Sequence, residues 1–262
     1  REGYSAVAVG VLLALFAVAQ VVLALPAGRF TERHGLRKPF MVAVLVATVG
    51  GALAVAWPVF MVLCVTAITS GAAVCVAMIA LQRHVGHMAS DATELRQVFS
   101  WVAVGPSISN ILGPFLAGLL IDASGFRAAY LLLACLPSLA WWWVRHVPEH
   151  PAPATREVPP GRSSWDLLRD RPFRDLMLMN WLLASCWDVH TFVLPVLGYE
   201  RGLSASVIGT ILGAFAIAAT AVRLVMPMFA ARLQEWAVIT AAMVGAALIF
   251  SVYPLLYSPL AM

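Results

Sequence analysis

The sequence predicts an all-α integral membrane protein built as a bundle of about eight transmembrane helices. Three observations carry that fold class. First, 61% of the 262 residues are hydrophobic and only 11% are charged, with a mean hydropathy of +0.87. Soluble domains carry roughly 25% charged residues. Second, the apolar residues gather into runs long enough to cross about 30 Å of hydrocarbon as helices, and the period-two alternation of barrel strands is absent. Third, every Lys and Arg except Arg223, near the end of the seventh run, lies outside those runs.

Apolar runs separated by loop-forming residues place the spans at 5–27, 39–57, 59–81, 98–121, 128–144, 177–197, 207–229 and 237–257. The first two flank a glycine-bracketed basic turn at 28–38. A connector with Arg83, His84, His87 and Arg96 separates the third from the fourth, and Gly125-Phe-Arg separates the fourth from the fifth. The fifth span is the shortest and closes on Trp141, Trp142 and Trp143, anchors for the headgroup layer. Residues 148–164 hold Pro148, Pro151, Pro153, Pro159 and Pro160 among charges, a composition that favours an extended linker over a packed core. From Trp165 onward, apolar and charged residues alternate up to Asp175 as in a short helix lying on the membrane surface. Gly202-Leu-Ser precedes the seventh span, and Trp236 and Tyr257 bracket the eighth. The domain organisation expected is residues 1–147, a linker at 148–175, and residues 176–262.

Of the 17 Lys and Arg residues, fourteen fall on one face of this scheme and only Arg1, Arg127 and Arg201 on the other. Cationic connectors resist translocation, so the rich face, including the 28–38 turn and the linker, is expected in the cytoplasm. The expected location is the cell membrane, by preference a bacterial inner membrane. The net charge of +4 forms no continuous basic face, so the cations read as topology signals and nucleic acid is not expected as a partner. Cys64, Cys75, Cys135 and Cys186 all lie within apolar runs at neither metal nor disulfide spacing, as packing residues do. No cleavable leader is visible. Arg at position 1, and an apolar run interrupted at Met262, suggest a fragment.

In the turn Gly28-Arg-Phe-Thr-Glu-Arg-His-Gly-Leu-Arg-Lys, the glycines permit a tight turn with close helix approach, and Glu32 beside Arg33 and Arg37 can form a charge cluster at a helix end. An ordinary basic connector is the alternative. The spacing of Gly28, Glu32, Arg33, Gly35 and Arg37 resembles the signature loop between the second and third helices of the major facilitator superfamily, with Glu in place of the usual Asp and Leu36 in one usual Arg place. The resemblance implies a major-facilitator-type bundle in two pseudo-symmetric halves, of which this chain would hold helices two to nine. It also implies that these five residues act as a conformational latch.

A second stretch, Ser109-Asn-Ile-Leu-Gly113-Pro114-Phe-Leu-Ala117-Gly118, sets small residues at helical spacing, where a neighbouring backbone can approach, with Pro114 bending the helix. It is similar to the family's fifth-helix pattern associated with antiporters, which implies efflux; generic helix packing is the other reading. Against proton antiport, Ala67 stands four residues before Gly71, where proton-coupled members carry Arg. The loops Gly125-Phe-Arg-Ala-Ala-Tyr and Gly202-Leu-Ser-Ala-Ser-Val-Ile-Gly also look like facilitator loops, so the resemblance covers essentially the whole chain.

A charge within a span costs about 2.5–3.5 kcal/mol at the helix centre, which makes it a candidate site by default. Asp188 lies near the middle of the sixth span, between Trp187 and His190. It can face a cavity and bind a proton or cationic substrate, or pair with a neighbouring helix. His190 is about 200° around the helix from Asp188, so the two share no face. His190, Trp187, Asn110 and Gln20 complete the candidates for substrate or ion binding. His84 and His87 stand one helical turn apart without a third metal ligand. No phosphate loop, zinc motif, nucleophile elbow or paired carboxylates occur, so no catalytic residue and no cofactor are expected. The expected function is alternating-access transport of a small solute, with proton coupling an option. The alternatives are an integral membrane enzyme or a non-transporting sensor.

Overall fold

A computed structural model describes residues 6–88, 91–147, 169–229 and 235–252. Among these it contains eight α-helices and no strand: α1 Ala6–His34, α2 Arg37–Ala56, α3 Phe60–Met88, α4 Ala92–Ser124, α5 Phe126–Val144, α6 Arg171–Glu200, α7 Ala205–Phe229 and α8 Glu235–Val252. Seven helices are long and apolar enough to cross a membrane, and a shorter apolar stretch, Thr240–Ile249, lies in α8. The protein is thus a helical membrane bundle. The Pro-rich linker and Trp165 lie outside the described residues.

Helix ends depart from the sequence reading because a helix does not stop where its hydrophobicity does. α1 continues through Arg29 to His34, and the expected turn at 28–38 shrinks to Gly35 and Leu36. Within this extension the Thr31 hydroxyl donates to the Gly28 carbonyl at 2.8 Å. Gly35 then takes φ 71° and donates its N–H to the Thr31 carbonyl at 3.0 Å. That left-handed cap favours glycine, and the next residue, Leu36, is 3% exposed, as the apolar contact after such a cap commonly is. Gly202, at φ 72°, follows the end of α6, donating its N–H to the Tyr199 carbonyl at 3.0 Å while Leu203 donates to the Gly198 carbonyl at 2.9 Å. Similarly, α3 extends through Arg83, His84 and His87, which belong to its last turns and not to a loop. Arg171 to Asp175 belong to α6 and not to a separate surface helix.

The chain divides into two compact units. Unit 1 comprises residues 1–106 and 120–155, and unit 2 comprises 107–119 and 156–262. In unit 1, α3 packs on α1 and α2, and α2 also packs on α5. Small residues make these contacts. Any side chain at Gly71 of α3 would run into the Phe16 carbonyl of α1, and one at Gly51 of α2 would meet Ala134 of α5 at 2.9 Å. The Thr66 hydroxyl bridges α3 to α2 by donating to the Gly50 carbonyl at 2.8 Å. Large apolar side chains point outward, as with Val21 at 77% and Met61 at 75% exposure, while Ala54 and Ala80 are 0% and 1% exposed. This small-inside, large-outside arrangement suits lipid, where close backbone approach replaces the hydrophobic effect between helices. In unit 2, α6 packs on α7.

Candidate functional site

α6 begins with Pro172 in its first turn, where a missing N–H costs nothing. Over its length His190, Leu194 and Gly198 are buried. Their four-residue spacing forms one stripe, and that stripe meets α7. The His190 ring lies 4.0 Å from the Phe215 ring and the Trp187 ring 4.9 Å from it. A side chain at Gly198 would strike Ile208 at 2.7 Å.

Asp188 projects from the other side of α6 and is exposed, as are Trp181 and Val189 nearby. It stands about 26 Å along a helix of about 44 Å, beyond the midpoint. The Thr191 hydroxyl donates to the Asp188 carbonyl at 3.0 Å and the Ser185 hydroxyl to the Trp181 carbonyl at 2.8 Å. Both hydroxyls are therefore held against the helix beside the carboxylate, with oxygen lone pairs still able to accept. Chemically this face offers one carboxylate, two hydroxyl oxygens and an exposed indole.

The remaining candidates have different surroundings. His190 and Trp187 belong to the face packed on α7. Gln20 sits on α1 in unit 1, half-buried, where its backbone carbonyl accepts from the Cys75 thiol at 3.5 Å. Asn110 is exposed on α4. Among the described residues no group of three or more His, Cys, Asp or Glu could hold a metal ion.

In the latch candidate, Glu32 and Arg33 are exposed while Arg37 is half-buried. Arg37 donates through Nη2 to the Val147 carbonyl at 2.9 Å, joining the start of α2 to the third residue beyond α5. Arg83, at the end of α3, donates to the Glu32 backbone carbonyl at 3.4 Å. A Cβ at Gly28 would meet nothing within 4 Å, so that glycine, contrary to the sequence reading, serves no close approach. In the Ser109–Gly118 stretch the outcome divides. A side chain at Gly118 would strike the Ala205 carbonyl of α7, and one at Gly209 of α7 would strike the Pro114 carbonyl. Ala117 is half-buried, whereas Ser109 and Gly113 are exposed, and a Cβ at Gly113 would meet nothing within 4 Å. α4 runs as one helix through Pro114.

Sequence reasoning missed Phe16, Phe215 and Val147. Two of these act through a backbone carbonyl, which leaves no mark on residue type, and Phe215 is one apolar residue among many in α7. Gly198, at four-residue spacing from His190 and Leu194, was the signal that could have located the α7-facing stripe.

The family model described as Major Facilitator Superfamily matches residues 2–262. No curated protein matches the chain.

Proposed function

The chain belongs to the major facilitator superfamily, and so is a multi-pass membrane transporter; on that premise we propose that it carries a small solute by alternating access, with Asp188 at its binding site. The observation that carries this reading is the placement of Asp188 on the face of α6 turned away from α7. A carboxylate at that depth costs about 2.5–3.5 kcal/mol unless it meets water or a counter-charge. The solvated solute path of an alternating-access carrier supplies both. The halves are residues 1–147 and 176–262, joined by a cytoplasmic linker at 148–175, in a bacterial inner membrane.

The residues Gly28, Glu32, Arg33, Gly35 and Arg37 latch one state on the cytoplasmic side. Support comes from the Arg37 bond to the Val147 carbonyl, which ties the turn to the last residue before the linker. Efflux or antiport is the preferred direction, on the strength of the Ser109–Gly118 pattern, and a proton or a cationic group is what Asp188 exchanges. His190 and Trp187 brace α6 against α7 beside the site.

Uptake and efflux by the protein in vesicles, over a compound panel with and without a pH gradient, tests this directly. Transport by the parent and at least a tenfold loss in Asp188→Asn, an effect of about 1.4 kcal/mol or more, is the expected result. Unchanged kinetics in the variant would remove Asp188 from the mechanism.

A further inference from the structure

We propose that the neighbouring ends of α2 and α5 form a binding site for the phosphate headgroup of an anionic phospholipid. α5 ends in three tryptophans followed by Arg145 and His146, and one indole organises both of these side chains. The Arg145 guanidinium lies 5.6 Å from the centre of the Trp142 ring. On the same ring His146 packs edge-on at 5.5 Å, with Nδ1 donating to the Trp142 carbonyl at 2.8 Å. That bond fixes the tautomer and leaves Nε2 as the outer edge of the imidazole.

Arg37 brings a second helix to this place. Its bond to the Val147 carbonyl sets the first turn of α2, with Lys38 exposed, beside the residues that follow α5. The neighbouring ends of α2 and α5 thus carry two guanidiniums, an ammonium and an imidazole. A guanidinium held over an indole presents paired N–H donors to phosphate oxygens, and an ammonium adds a point charge.

The surroundings select a lipid over free phosphate. Trp142 is 50% and Trp143 64% exposed, and Leu139, one turn further into the span, is 52% exposed. Tryptophan in that position sits at headgroup depth, so the cations meet the phosphate layer while the leucine meets acyl chain. Basic pockets between helix ends at a membrane surface bind anionic headgroups in this manner.

The test uses the protein reconstituted with spin-labelled phosphatidylglycerol or phosphatidylcholine, reading the fraction of each lipid held at the protein surface. Phosphatidylglycerol is expected to be preferred, with the preference falling about fivefold for each cation removed in Arg145→Gln and Lys38→Gln. It should also fall in Arg145→Lys, which keeps the charge but loses the paired donors of the guanidinium, and stay unchanged in Arg201→Gln at the far end of α6. Excess glycerol phosphate should not displace the lipid. Equal retention of the two lipids by the parent, a preference untouched in Arg145→Lys, or displacement by glycerol phosphate would each overturn the proposal.

Discussion

Asp188 and His190 are two residues apart and occupy opposite environments: the carboxylate is exposed, while the imidazole is 7% exposed and lies 4.0 Å from the Phe215 ring. The separation follows from helical geometry, about 100° per residue, and it divides α6 into a packing face and an exposed one. Effects on stability and on transport should divide in the same way. Phe215→Ala is expected to lower thermal stability in detergent by about 3 kcal/mol, the cost of removing a packed aromatic ring, whereas Asp188→Asn should melt with the parent and lose transport. If Asp188→Asn melts as early as Phe215→Ala, the carboxylate is structural glue.

Gly71 and Gly28 make a matched pair for testing the packing account. A methyl at Gly71 collides with the Phe16 carbonyl, while one at Gly28 meets nothing within 4 Å. Gly71→Ala should therefore destabilise by about 1–3 kcal/mol through overpacking. Gly28→Ala should stabilise by about 0.5–1 kcal/mol through reduced backbone entropy within a helix. Melting curves of both variants decide the matter; equal shifts would show that α1 and α3 do not meet at Gly71.

The turn between α1 and α2 depends on Gly35 at φ 71°. Gly35→Ala places a Cβ in a left-handed conformation, at a cost of about 1–2 kcal/mol. Arg37→Ala removes a bond to a backbone carbonyl, and with it the tie between the turn and residue 147. Proteolysis of the linker at 148–164 should speed up in Arg37→Ala and remain at the parental rate in Arg33→Ala, whose side chain is exposed. Equal cleavage in the two variants would remove Arg37 from any hold on the linker.

Bilayer physics explains which parts of this molecule were legible. The helical class followed from composition, because only helices and closed barrels satisfy backbone groups in hydrocarbon. Helix ends were less visible. α1 and α3 run on through Arg29–His34 and Arg83–His87, where charged residues are tolerated in water and apolar periodicity has already stopped. The opposition of Asp188 and His190 could be read from their spacing, but the partner of the buried face could not. Phe215 lies on another helix, and Val147 lies beyond the end of α5, 110 residues from Arg37. Such contacts depend on how helices assemble and leave no local pattern.

The central claim is that the Asp188 face of α6 lines a water-filled path, and cysteine accessibility tests it most directly. In a background with Cys64, Cys75, Cys135 and Cys186 replaced by serine, Asp188→Cys and His190→Cys are each treated in sealed vesicles with a membrane-impermeant maleimide. The account predicts rapid labelling at position 188, slowed by a transported solute, and little labelling at position 190. An inert thiol at 188, reacting only with a lipid-soluble reagent, would contradict it.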